Sequence, residues 1–340
     1  MRVFVAGASG AIGRHLVPQL IEKGHEVIGT YKSAGNADRL RALGAKPVAL
    51  DLLDANAVRK AVLAAEPDAI VHQATALADL KDFKHFDRSF ALTNRLRTEG
   101  TDALLAAARE AGVRRIVAQS YASIRYIRAG GPVKTEDDPL ESAPPPAMRE
   151  TYAAMGYLDD SVTRAGGIVL RYGTFYGDAN DALLEPIGKR QFPIVGDGGG
   201  ISSFIHLYDA AAATVLALDH DGPGIYNIVD DEPAPLREWL PLLASVLEAK
   251  PPRRVPAWLA RLFAGDAGVM MATEARGASN SKAKRELGWT LRYASWRQGF
   301  VAAYASASPA DGMDTTQERS TSRSNEKVYG RARPLSGRQT

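Results

Sequence analysis

Two hydrophobic periods alternate through the first half of the chain. Residues 2–6 form a continuous apolar run of strand length, whereas residues 11–23 place Ile12, Leu16 and Leu20 on one helical face and stop at Gly24. The rhythm continues with strands at 25–30, 47–50, 69–74, 115–120 and 168–171, separated by helices at 37–43, 54–65, 93–111 and 151–165. Short buried strands joined by crossover helices pair in parallel, so the pattern predicts an α/β fold built on a doubly wound parallel sheet. Its core is expected over residues 1–172, with later segments completing the sheet. After Gly173 the rhythm breaks into short pieces punctuated by glycine and proline, as at 196–200 and 221–224. This predicts a smaller C-terminal substrate lobe, residues 173–303, over the carboxyl edge where open α/β sheets bind ligands. Residues 304–340 are rich in Ser, Thr, Arg, Gly and Gln and poor in large apolar side chains, so a disordered tail is expected there.

Composition narrows the chemistry. With 45% hydrophobic and 24% charged residues, the 340-residue chain has ordinary globular usage. Lys+Arg 42 against Asp+Glu 39 gives a formal charge of +3, without a basic cluster dense enough to follow a phosphate backbone. The expected partner is therefore a small-molecule substrate and not nucleic acid. The absence of cysteine removes thiolate nucleophiles, iron–sulfur clusters and Cys-based zinc sites. The six histidines never fall four apart beside a glutamate, so no metal site is expected. The apolar run 210–218 is far below the roughly 20 residues that span a bilayer. With no targeting segment in view, a cytoplasmic protein without membrane contact is expected. Trp239, Trp258, Trp289 and Trp296 sit in apolar or amphipathic surroundings and are expected as core or lobe packing.

The most informative segment is Val3-Phe4-Val5-Ala6-Gly7-Ala8-Ser9-Gly10-Ala11-Ile12-Gly13, a strand running into a G-x-x-G-x-x-G turn and a helix. Gly7 suits the tight turn, Gly10 lets the backbone approach a pyrophosphate, and Gly13 lets helix pack on strand. The helix N-terminus would then face the phosphates. Backbone and side chains of Gly7, Ser9, Gly10, Ala11, Ile12 and Gly13 are the candidate phosphate cradle.

From these residues onward the chain resembles an extended or atypical short-chain dehydrogenase/reductase, the group that includes NAD-dependent epimerases and dehydratases. The likeness covers roughly residues 1 to 300. Asp51-Leu52-Leu53-Asp54 resembles the family's adenine-contacting strand end, which implies cofactor roles for Asp51 and Leu52. Val71-His72-Gln73-Ala74-Thr75 resembles the segment beside the nicotinamide ribose, which implies one for Ala74. Asn94 with Gly100-Thr101, the acidic Glu136-Asp137-Asp138-Pro139-Leu140, Leu170-Arg171-Tyr172 with Tyr176-Gly177, Ser203-Phe204-Ile205-His206, and Gly224-Ile225-Tyr226-Asn227-Ile228 match further signatures in order. The resemblance implies a Rossmann fold, an NAD(P)-dependent oxidoreductase, and pairing of the helices near Thr93 and Thr151 as a possible homodimer contact. Gly173-Thr174-Phe175 lacks the Asn usual in the family's nucleotide-sugar enzymes.

The second strand ends Thr30-Tyr31-Lys32-Ser33 without the carboxylate that would bind ribose hydroxyls and repel a 2′-phosphate. A cation with neighbouring hydroxyls suits phosphate, so Lys32, helped by Thr30 or Ser33, points to NADP in preference to NAD.

Catalysis in this family implies a Tyr, a Lys four residues later and a Ser or Thr that bonds the substrate oxygen. Tyr152 fits the first, and Asp160 stands where an acid often follows eight residues on, but Gly156 replaces the lysine. A phenol without that cation has a pKa near about 10, so it can give a proton and is a poor base. Ser120 is the candidate oxygen anchor, with a register that alternatively puts Tyr121 there and Ser123 one turn on. Asn94 completes the candidate catalytic set. Arg125, Lys134 and Arg149 are the cations that folding could bring to Gly156. Carbonyl reduction with NADPH is the expected activity. An epimerase or dehydratase that retains its nicotinamide, and a non-catalytic NADP-binding sensor or scaffold, are the alternatives.

Overall fold

The computed structural model describes residues 1–305 apart from 34, 78–81, 83, 123 and 179–182. The expected tail beyond residue 305, and Ser123, lie outside the described residues. A seven-stranded, all-parallel sheet is formed by β1 (Arg2–Ala6), β2 (Glu26–Tyr31), β3 (Lys46–Ala49), β4 (Ala69–His72), β5 (Arg115–Tyr121), β6 (Ile168–Tyr172) and β7 (Gly224–Ile228). Their spatial order is β7-β6-β5-β4-β1-β2-β3. The order reverses between β4 and β1, which opens the ligand crevice of a Rossmann fold at the carboxyl ends of those two strands.

The helices are α1 (Gly13–Glu22), α2 (Asn36–Ala42), α3 (Ala55–Ala65), α4 (Phe86–Arg95), α5 (Thr101–Glu110), α6 (Arg149–Arg164), α7 (Leu184–Gly188), α8 (Leu207–Asp219), α9 (Leu236–Val246), α10 (Ala257–Thr273), α11 (Ser281–Leu287) and α12 (Trp296–Tyr304). Strand alternation explains the layers. Val3 and Val5 join Leu16, Leu20, Leu170 and the alanines of α8 on one face. Phe4 and Ile70 join Val58, Val62, Leu104, Leu158 and Val162 on the other. The lobe has its own core, in which Phe204, Trp239, Leu240, Trp296, Phe300 and Tyr304 meet.

Three expectations change in detail. The single helix expected at 93–111 is α4 and α5 joined by a π-helical turn, Leu96–Gly100. Such turns insert a residue into the helical ladder and re-aim the side chains around it, frequently at functional sites. Tyr304, expected in the tail, instead ends α12 buried, its phenol oxygen accepting the Gly177 N–H at 2.9 Å. Trp239, Trp289 and Trp296 are core residues as expected, but Trp258 is 67% exposed on α10. Among the described residues no helix is long and apolar enough to cross a membrane, and no group of His, Asp or Glu could hold a metal.

Gly13 shows how tightly α1 is seated. A Cβ there would lie 1.8 Å from the Ala8 carbonyl oxygen, which is backbone and cannot swing away. Gly13→Ala is therefore expected to destabilise the protein by about 1–3 kcal/mol, the usual overpacking cost, measurable as a lower denaturant midpoint at unchanged slope.

Candidate active site

The phosphate loop is shaped by its neighbours. Gly7 has φ +84° and its N–H donates to the Thr30 hydroxyl at 2.9 Å. A Cβ on Gly7 would meet the Ala74 backbone at 2.7 Å, so the end of β4 crosses directly against the turn. Among the described residues, a Cβ at Gly10 would come near only the Gly7 carbonyl oxygen, at 3.3 Å, and the residue is exposed. The surface above Gly10 is thus free for a flat or anionic group, with the N-terminus of α1 aimed at it. These features fit a dinucleotide pyrophosphate. Ser9 and Ala11 line the open side, while Ile12 is buried beneath.

At the far end of the crevice Lys32 and Asp51 are brought together, with Nζ 2.8 Å from Oδ2, the lysine side chain largely and the aspartate partly open to solvent. This bond, reinforced by the Leu53 N–H on Asp51, holds the Asp51 carboxyl below its ordinary pKa. Thr30, expected as a possible phosphate ligand, is buried and committed to Gly7, so Ser33 is the hydroxyl left beside Lys32. Leu52 is buried, and Ala74 lies half-buried where β4 leaves the sheet.

At the other end, α6 is set in place by its first turn. The Asp87 carboxylate of α4 accepts the N–H groups of Glu150 and Thr151 at 3.0 and 2.9 Å and the Thr151 hydroxyl at 2.7 Å. Asn94 donates from Nδ2 to the same hydroxyl at 3.0 Å. Asn94 therefore acts on the residue before Tyr152, leaving Tyr152 on the next face. Tyr152 packs with Phe86, Met148, Met155, Ala267 and Met270, joined by Phe90, Tyr121, Ile124 and Met271. This cluster joins the Rossmann core to α10 of the lobe. The Tyr152 phenol donates to the Ile124 carbonyl. Burial pushes its pKa up to about 12, against a smaller downward pull from Arg128 and Arg125.

Ser120 and Tyr121 point to opposite faces of β5. The Ser120 hydroxyl is buried without a hydrogen-bond partner among the described residues. Tyr121, the alternative register, joins the Tyr152 cluster and shares a 3.0 Å hydrogen bond with the Thr174 hydroxyl. The acid expected at Asp160 is exposed, and its neighbour Asp159 is the buried one, paired with Arg125 and Arg171. Turning one residue around the helix moves a side chain by roughly 100°, which is enough to exchange solvent for core. Of the three cations considered for Gly156, Lys134 is held by the Ala129 carbonyl at 2.7 Å and by Asp138, and Arg149 is exposed at the start of α6. Arg125 is the one beside Gly156. Thr174, Asp87 and Arg97 escaped sequence reasoning because nothing in their spacing links them to the tyrosine.

Fold and site together define an NAD(P)-dependent oxidoreductase with a Rossmann core. Residues 3–229 match the NAD dependent epimerase/dehydratase family, and the chain belongs to it. It is 43% identical over 309 residues to a 3-diazoavenalumate denitrifying reductase of a Streptomyces species, covering 88% of this chain and 99% of that one. It is 29% identical over 254 residues to a 4-hydroxy-2-methyl-3-oxo-4-farnesyl-3,4-dihydroquinoline-1-oxide ketoreductase of Stigmatella aurantiaca, covering 72% of each. Among solved structures, the Thermus thermophilus UDP-glucose 4-epimerase in complex with NAD superposes with a TM-score of 0.69 at 25% identity, over 90% of this chain and 98% of that one.

His72 carries a testable consequence. Its ring is buried, with Nε2 3.2 Å from the Leu96 carbonyl, and burial lowers its pKa from 6.5 to about 4. The native state thus binds this proton later than the unfolded chain does. Stability should be unaffected by this group above pH 6.5 and fall as pH drops from 6.5 towards 4, by roughly 3 kcal/mol in all. Urea titrations across that window should show the loss, and a His72→Gln variant should show a shallower dependence.

Proposed function

We propose that the protein reduces a carbonyl group of a small, largely apolar substrate with NADPH, using Tyr152 as the proton donor. The observation that carries this reading is the placement of a buried, firmly protonated phenol in the cluster where the lobe meets the carboxyl edge. The dinucleotide, when bound, supplies hydride. The chain's own residues do the rest: Gly7, Gly10 and Gly13 shape the loop for the pyrophosphate, while Lys32 and Ser33 offer a cation and a hydroxyl to a 2′-phosphate. Ala74 and the strand end bound the nicotinamide side. Phe90 and Met271, half-buried against the core formed by Phe86, Met155 and Met270, offer aromatic and thioether surface that would suit a flat apolar substrate. Tyr152 turns from the Ile124 carbonyl to the substrate oxygen and gives its proton as that oxygen becomes an alkoxide. Tyr121 and Ser120 remain the two candidates for holding that oxygen, and Asn94 supports the helix that carries the donor.

Similarity to two reductases supports the reductive direction. A cytoplasmic setting suits a diffusible substrate, and pairing of two copies through α4 and α6 would cover Leu92 and Tyr157, 44% and 41% exposed on those helices.

A second reading is favoured by the Tyr152–Ile124 hydrogen bond itself, together with the likeness to a denitrifying reductase. If the phenol stays with Ile124, hydride would go to a carbon that expels a leaving group and needs no proton from the protein. Tyr152→Phe separates the two. Carbonyl reduction predicts a fall of roughly 10²–10⁴-fold in kcat for NADPH-dependent reduction of aryl ketones or aldehydes. Unchanged carbonyl turnover would take Tyr152 out of the proton transfer, and a parent that reduces no carbonyl but delivers hydride to an aryl substrate with a leaving group, equally well in Tyr152→Phe, would leave only the second reading.

Lys32→Ala tests the cofactor preference. NADP binding should weaken by about 1.5–3 kcal/mol, as for loss of a hydrogen bond to a charged group, while NAD binding stays the same. Calorimetry with both dinucleotides provides the check, and equal losses would mean that Lys32 does not read the 2′-phosphate.

A further inference from the structure

We propose that Arg125 has taken over the cationic task of the absent lysine and acts as a positioning residue for Tyr152, a role that rests on the carbonyl-reductase reading. Position 156 lies one helical turn beyond Tyr152 on the same face of α6. A Cβ built on Gly156 would meet Arg125 Nη1 at 3.6 Å and, its own helix aside, no other atom within 4 Å among the described residues. The guanidinium therefore fills the space that a longer side chain at 156 would need.

Arg125 is locked there from both ends. Its side chain, 3% exposed, donates from Nη2 to Asp159 Oδ2. The same oxygen accepts Nε and Nη2 of Arg171 at 3.0 and 2.8 Å. On the main chain, the Arg125 carbonyl accepts the Glu141 N–H at 2.7 Å, and the preceding Ile124 carbonyl accepts the Tyr152 phenol. One carboxylate shared by two guanidiniums leaves a positive charge over. Buried Arg97 adds another: its Nη1 has no hydrogen-bond partner among the described residues, and it interacts electrostatically with Arg125 and Asp159.

This surplus has a use in proton transfer. Hydride from NADPH adds to the carbonyl carbon, and the Tyr152 O–H bond breaks as its proton passes to the alkoxide oxygen. The bonding pair stays on the phenolate until a solvent proton restores it. A phenolate out of water requires a nearby cation. The Ile124 carbonyl, an acceptor, opposes it; Arg128 pulls in the favourable direction but is shared with Glu141 and Glu274, so the fixed positive charge of buried Arg125 adds to it in keeping this state within reach. Glycine at 156 is then the residue that makes room, and a lysine added there would press a second cation against the first.

The test compares Arg125→Met, Arg125→Met with Gly156→Lys, and Tyr152→Phe, all as full chains with NADPH and whichever aryl ketone or aldehyde the parent reduces fastest. Arg125→Met should lower kcat about tenfold or more, within the range for assisted proton transfer, while KM for NADPH stays near the parental value. The double variant puts an ammonium three residues from Asp159, keeps that carboxylate paired should the single variant fold poorly, and should recover most of kcat. A purely structural arginine would not be rescued by a charge moved to another element. Parental kcat in Arg125→Met, or a folded double variant as slow as Tyr152→Phe, overturns the inference alone. Parental kcat in Tyr152→Phe overturns Tyr152 as the proton donor, the part of the proposed function on which the inference rests, and the inference with it.

Discussion

The carboxylate of Asp159 is the point on which the candidate catalytic end of the molecule depends. It sits in the middle of α6, buried, and holds Arg171 of β6 and Arg125 from the segment after β5. A buried charge of this kind contributes little net stability, but leaving either partner alone costs about 3–5 kcal/mol. What it supplies is geometry: helix, strand and loop are tied to one atom. The N-terminus of α6 is fixed independently by Asp87 and Asn94. Pinned at its start and its middle, the helix has no freedom to rotate Tyr152 away from the lobe. The Ile124 carbonyl, one residue from Arg125, is placed by the same anchor.

The cofactor end is built on a different balance. Around Gly7 the backbone of β1, the Thr30 hydroxyl and the Ala74 backbone meet at distances that admit no side chain. Such a region is rigid and would accept the proposed pyrophosphate without rearrangement. The adenosine end is loose by comparison. A solvent-facing Lys32–Asp51 pair is worth no more than about 1 kcal/mol, so the proposed 2′-phosphate would take Lys32 from Asp51 at little cost. On the proposed reading, rigid pyrophosphate recognition and adjustable discrimination at the ribose would thus occupy adjoining parts of one crevice.

The parts of this molecule that were legible in the sequence are those governed by local rules. Gly7, Gly10 and Gly13 declare their turn because only glycine satisfies a positive φ, an open approach and a backbone contact in that order. The βαβ rhythm declares a parallel sheet because strand and helix differ in period. The catalytic face was less legible. Whether Asp159 or Asp160 turns inward depends on how a helix is rotated against its sheet, and the π-helical turn at Leu96–Gly100 breaks the register on which such counting relies. Arg125 stood in plain view, but its approach to Gly156 is a tertiary fact, made across 31 residues of chain that include the acidic Pro segment. Ser120 and Tyr121 illustrate the same difficulty, since a one-residue slip in a strand exchanges its two faces.

The surroundings of Tyr152 also set a direction. With its pKa pushed up to about 12, the phenol at pH 7 is some five units from ionising, so using it as a base would cost roughly 7 kcal/mol before any chemistry began. Giving its proton to an alkoxide, a far stronger base than phenolate, carries no such penalty. A lysine one turn along, free to approach the hydroxyl, would narrow that gap in both directions. Arg128 and Arg125, the latter held back by Asp159, offset burial only in part, so on the proposed reading the phenol would finish a reduction more readily than it would start an oxidation. An epimerase must do both in each cycle. The buried phenol, the glycine one turn beyond it and the tethered arginine therefore support the proposed one-way reduction over a cycle that returns its hydride.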